Sequence, residues 1–138
     1  MIVHIRILIL LSSLLMVSCS TDLDRIRQVR TVADMQTIAA KIEAVREKAP
    51  ESLGGSSEVL HLISRVAGGR DAWGRELLFI SKPAGRGFSY VLVSMGSDGK
   101  SDVAQPQDYF SMPEQVIHGA PWKDIVFRDG HAITRAGK

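Results

Sequence analysis

The stretch at residues 71–102, DAWGRELLFISKPAGRGFSYVLVSMGSDGKSD, decides the fold. Its two apolar runs, ELLFIS (76–81) and FSYVLVS (88–94), are short and rich in β-branched and aromatic residues, as strands are. KPAGRG (82–87) between them reads as a hairpin loop, so the two strands are expected to pair antiparallel. Ahead of them, Asp71-x-Trp73-Gly74 reads as a turn. Trp73 is expected as a plug between helix and sheet, Asp71 as acceptor for turn N–H groups, and Gly74 as the source of backbone freedom. Phe79, Tyr90 and Leu92 are expected to be buried with Trp73. Behind the strands, MGSDGKSD is turn chemistry: Gly96 and Gly99 suit positive φ, and Asp98 suits backbone N–H groups nearby.

Outward from this stretch the period changes. Residues 23–48 carry apolar side chains at steps of three and four: Leu23, Ile26, Val29, Val32, Ala33, Ile38, Ile42 and Val45. Asp24, Arg27, Gln28, Asp34, Lys41 and Glu47 fill the other side, which predicts a long helix with the apolar set inward. Thr21 or Asp22 would cap its start, and Lys48 suits the dipole at its end. APESLGGSS (49–57) reads as a loop, and residues 57–67 as a short second helix closed by Gly68 and Gly69. His61 within it reads as a structural residue. Residues 103–123, with Pro106, Pro113 and Pro121, read as irregular. The closing DIVFRDGHAIT predicts strands at 124–128 and 131–134 about an Asp129-Gly130 turn. Helices first and strands afterwards imply an α+β domain, with an antiparallel sheet laying one face on the long helix.

The first 20 residues, MIVHIRILILLSSLLMVSCS, are of another kind. Arg6 precedes an apolar run at 7–18, closer to a signal-peptide core than to a membrane span of about 20 residues. Ser18 before Cys19 resembles the bacterial lipobox, with Met16 where Leu is usual. That resemblance implies cleavage before Cys19, lipid on its thiol, and a mature domain at 19–138. Cys19 is the only Cys of the chain, so no internal disulfide forms. A signal peptide cleaved nearby and an uncleaved anchor are the other readings of this leader.

Composition bounds the rest. The 138 residues make one compact domain, 45% hydrophobic and 23% charged, which excludes wholesale disorder. Removing Arg6 with the leader leaves 16 of the 17 Lys and Arg against 15 Asp and Glu, so the mature domain is nearly neutral. RIRQVR (25–30), with three Arg, is the densest basic run and is too thin for a nucleic-acid face.

Taken together, four segments support a family resemblance over about 26–133. They are RTVADMQTIAAKIEAV, RDAWGRELLFI, YVLVSMGSDGKSD and KDIVFRDGHAI. They resemble, in order, the soluble helix, the Asp-Pro-Trp-Gly turn with its strand, the Ser-x-Gly-x-Asp-Gly loop, and the closing Asp-Ile hairpin of the type II secretion major pseudopilin. The resemblance implies a pilin-like fold. It also implies a calcium ion in the loop after the second strand, with Asp98, Asp102 and the Met95 carbonyl as matching donors. Ser97, Ser101 and Asp108 would be further oxygens. A plain turn stabilised by Asp98, with Asp102 exposed, is the other reading of that loop. The chain departs from the family at its start, with no Gly before Gly54 and no Glu before Glu43. The prepilin leader and the filament-forming apolar helix are therefore absent, and a lipid on Cys19 would hold the domain at a membrane. Ser20 after that Cys resembles the sorting position of Gram-negative lipoproteins and favours the outer membrane, facing the periplasm.

These readings predict a non-catalytic, membrane-tethered lipoprotein that serves as an accessory or interaction module related to type II secretion. Its partners would be the membrane and secretion or pilus components, with no nucleic acid and no small-molecule substrate. The exposed helix face and residues 103–122 would be contact surfaces, Trp122 serving as anchor or as core. A calcium-stabilised periplasmic binding domain is the alternative, and a small hydrolase a further one. For an enzyme the sequence offers little: no Gly-x-Ser-x-Gly elbow, no phosphate loop, and no metal-ligand spacing among His61, His118 and His131.

Overall fold

The computed structural model describes residues 2–48, 57–85, 87–117, 120, 121 and 123–136; within the first helix, side chains are described from Asp22 onward. The elements are α1 (Ile2–Lys48), α2 (Ser57–Arg65), β1 (Leu78–Ala84), β2 (Gly87–Ser94), β3 (Gln115–Ile117), β4 (Ile125–Arg128), β5 (His131–Ala132) and β6 (Thr134–Ala136). Short 3-10 helices lie at Ala67–Gly69 and Pro106–Phe110. The architecture is α+β, as the order of elements predicts.

α1 is continuous over 47 residues, about 70 Å at 1.5 Å per residue. It does not open at Leu23, and Thr21 and Asp22 are helix interior rather than caps. Among the residues with described side chains, no helix is long and apolar enough to cross a membrane.

The register of α1 also differs from the sequence pattern. Leu23, Ile26 and Val29 are 46%, 66% and 63% exposed. Ile38 and Ile42 are buried as the pattern has them, but ahead of them the buried stripe runs back through Met35, Thr31 and Gln28, again at steps of three and four. Its polar start has a tertiary cause. Thr31 lies under the Asp71 turn, and its hydroxyl oxygen accepts the Ala72 N–H at 3.0 Å. A buried hydroxyl with a tertiary partner is tolerated where an apolar side chain would leave that N–H unpaired.

The main sheet is antiparallel, in the order β1-β2-β4-β5. β1 and β2 are longer than expected, pairing from Leu78↔Val93 to Ala84↔Gly87, so the hairpin loop shrinks to residues 85–86. Pro83 is tolerated because β1 is an edge strand. The Asp129-Gly130 turn is present, with φ of 47° and 82°. Two successive positive φ values are the type I′ geometry that closes a two-residue hairpin.

β2 is buried on both faces. Phe88, Tyr90 and Leu92 join Met35, Ile38, Ile42, Val59, Ile63, Ile125 and Phe127 under the helices. Trp73 and Phe79 pack against this core while only partly buried. Val91 and Val93 face the other way, onto Tyr109, Met112, Val126 and Ile133. A second layer therefore covers the sheet, built from residues read as irregular: Val103, Tyr109, Phe110 and Met112, in and around the Pro106–Phe110 turn. β3 pairs parallel with β6 in a separate two-stranded sheet. The last strand splits for a visible reason. Val126 N–H donates to the Thr134 hydroxyl at 2.7 Å, replacing a ladder carbonyl, and the chain then leaves β4 for β3. The loop assigned to 49–57 falls mostly outside the described residues, as does Trp122.

Candidate functional site

Two of the four segments behind the resemblance, the Asp71 turn and the loop that starts at Ser94, meet in space. Asp71, 6% exposed, is the hub of the first. Its Oδ1 accepts the N–H groups of Trp73 at 3.0 Å and Arg75 at 2.9 Å, and its Oδ2 accepts the Ser94 hydroxyl at 2.8 Å. Ser94 ends β2, so the turn is bonded to the start of the second motif. The turn is also fixed to α1, through Thr31 and through the Trp73 indole N–H, which donates to Asp24 at 2.9 Å. Trp73 thus clips the helix as well as packing beneath it. Gly74, Gly96 and Gly99 all have positive φ, of 82°, 60° and 66°.

Arg75 crosses from the turn to the loop. Its guanidinium donates to the carbonyl oxygens of Gly96 at 2.6 Å and Ser97 at 2.8 Å. Met95 O accepts the Gly99 N–H at 3.2 Å, and Asp98 Oδ1 accepts the Lys100 N–H at 2.9 Å, which closes a tight turn.

Asp102 lies in a second arrangement beside the first. Its Oδ2 accepts the Asp124 N–H at 3.0 Å, while Asp124 Oδ2 accepts the Asp102 N–H at 2.7 Å. Lys123 Nζ reaches Asp102 Oδ1 at 3.3 Å. The Tyr109 hydroxyl donates a short hydrogen bond to Asp124 Oδ2 and also meets Ser101 Oγ at 2.9 Å. Asp124 is fully buried, and its Oδ1 has no partner. Burial pushes the Asp124 carboxyl above its ordinary range; the bonds from Tyr109 and the Asp102 N–H pull the other way, and the charges of Asp102 and Asp98 push up again. Burial, then the bond to Asp124, raises the Tyr109 hydroxyl beyond its ordinary range.

A calcium ion in this loop needs six to eight oxygens directed at one point. The donors nominated for it do not fit that need. Met95 O, Asp98 Oδ1 and both Asp102 oxygens carry internal donors, and the next two carbonyls hold Arg75. Asp108 is spent on the Gln105 N–H at the head of its own 3-10 turn, and Ser101 Oγ is bonded to Val103 and Tyr109. Among the described residues no three His, Cys, Asp or Glu side chains are grouped to hold a metal. Asp124 Oδ1, buried and without a partner, belongs to a residue that the loop's sequence did not nominate. Arg75 and Asp124 were both missed because each makes its bonds to residues about 20 positions away, a distance at which sequence pattern is silent.

His61 and His131 are exposed, and Cys19 lies in α1, its side chain outside the described part. The arrangement is thus a polar joint that fixes helix, turn, sheet and loop to one another. No family model matches the chain, and comparison with curated proteins and with solved structures returns no match.

Proposed function

We propose that the chain is a non-catalytic, membrane-tethered lipoprotein whose pseudopilin-like domain is an accessory or interaction module of a type II secretion or pilus system. The observation that carries the tether is the lone Cys19 directly after Ser18, at the end of a short apolar run. A thiol bearing several acyl chains anchors stably, where one myristoyl chain does not. The domain would face the periplasm, and Ser20 favours the outer membrane.

The interaction reading is supported by the helix register. Leu23, Ile26 and Val29 are exposed on consecutive turns of α1, close to the proposed anchor. Such side chains at steps of three form a stripe that a partner could cover.

The test is the intact mass of the mature N-terminus, from membranes of cells that express the wild type or Cys19→Ala. A di- or triacylated species that starts at Cys19 and vanishes in the variant is the expected result. A chain that starts elsewhere and carries no lipid sinks the proposal.

A further inference from the structure

The loop after β2 is closed on a positive charge that the chain itself supplies. Gly96 O and Ser97 O are consecutive carbonyls, and one guanidinium bonds both, at 2.6 and 2.8 Å. Carbonyl oxygens turned toward one centre are how protein loops hold hard cations. A guanidinium offers the same sign of charge, with donors in a rigid fork that matches paired acceptors. The seat is closely fitted. A Cβ at Gly99 would stand 2.5 Å from Arg75 Nε and 3.1 Å from its Cζ. Gly99 therefore does two jobs: it takes the positive φ of 66° and forms the floor under the guanidinium. Lys123 Nζ on Asp102 is a second internal cation at the same end of the domain.

The geometry points to Arg75 as the resident cation of this loop, the side chain that takes the place of a bound metal and locks the Asp71 turn to the loop without calcium. The inference stands on the loop alone and is independent of the tether. It makes the calcium response a property of one residue.

The full chain in detergent is unfolded thermally in millimolar calcium and in excess EGTA. Wild-type midpoints are expected to agree within about 1 °C, since a ligand that does not bind the native state shifts nothing. Arg75→Ala is expected to lower the midpoint by roughly 5–10 °C, from two charge-assisted hydrogen bonds lost. Arg75→Lys keeps the charge without the fork and is expected to recover part of that loss. Gly99→Ala separates the seat from general loop damage. In the wild type its methyl evicts the guanidinium; in the Arg75→Ala background only the strain of positive φ remains. Its loss is therefore expected to be smaller in the variant background. Should Arg75→Ala not fold, the same cycle is run in Arg75→Lys. A calcium-dependent rise of several degrees in the wild type overturns the inference. So do an unchanged midpoint in Arg75→Ala, or equal Gly99→Ala losses in both backgrounds.

Discussion

Arg46 Nη1 meets Asp129 Oδ1 at 3.2 Å and so joins the last turn of α1 to the β4–β5 turn across 83 residues of sequence. The carboxylate does more than pair. It also accepts the Ser89 hydroxyl at 2.8 Å and the Tyr90 N–H at 3.0 Å, so one side chain ties α1, β2 and the closing hairpin together. Arg46 has a second partner in Glu43 at 2.7 Å.

Asp129→Ala is therefore expected to cost about 2–3 kcal/mol in urea unfolding, because it strands two further donors besides the guanidinium. Arg46→Ala is expected to cost only about 1 kcal/mol, as half-exposed ion pairs do. Equal losses would show that the ion pair alone matters at this corner.

The helix register makes a sharper contrast. Met35→Ala removes a fully buried side chain and is expected to cost about 2–4 kcal/mol. Ile26→Ala removes a side chain 66% exposed and is expected to fall within about 0.5 kcal/mol of the wild type. A large loss at Ile26 would restore the register read from the apolar pattern.

Asp124 predicts a dependence on acid. Its folded carboxyl titrates above the ordinary value of 3.8, chiefly because it is buried. The folded state therefore binds the proton more readily than the unfolded chain. This group's contribution is full below that ordinary value and is lost as pH rises through the folded value. Asp124→Asn keeps an acceptor for Tyr109 and Asp102 and carries no charge. It is expected to be at least as stable as wild type at pH 7, with wild type gaining on it as pH falls toward 4. Parallel stability curves over that range would show that the carboxyl is not strained by burial.

Tyr90 and Tyr109 predict the alkaline limit. Both are fully buried, and burial raises each hydroxyl beyond its ordinary range; at Tyr90 the Glu43 charge adds to it. The neutral forms are favoured in the fold, so stability is intact below pH 10, the ordinary value, and falls as pH climbs through the folded values. Tyr90→Phe is expected to flatten the alkaline limb of the stability curve and to cost about 1 kcal/mol at neutral pH, its hydroxyl lying 3.4 Å from Ala39 O and within reach of the Glu43 carboxylate. An unchanged alkaline limb, read by circular dichroism against pH, would remove ionisation of Tyr90 as a cause of unfolding.

The parts legible in the sequence are those whose cause is local. The Asp129-Gly130 turn is dictated by two residues, and β2 by the aromatic and β-branched residues within 88–94. The parts missed have causes far along the chain. Thr31 is buried because Ala72 needs its oxygen, and that partner lies 41 residues away. Tyr109 and Met112 fill a second core from a stretch with no period, so its three prolines outweighed its apolar side chains. In the loop, Asp98 showed its turn chemistry in sequence. Asp102, read as a calcium ligand or an exposed turn residue, is exposed, but its carboxylate is braced by Asp124 and Lys123, contacts that only the fold creates.

The clip between Trp73 and Asp24 has a mechanical meaning. If the chain is held at Cys19, any pull on the domain travels down α1 before it reaches the sheet. The first points at which that load leaves the helix are Asp24, through the indole N–H, and Thr31, through the Ala72 N–H. Both lead into the Asp71 turn, which passes the strain to Ser94 and, through Arg75, to the loop. A tug on the leash is therefore felt at the loop before the buried core of α1 and β2 begins to part.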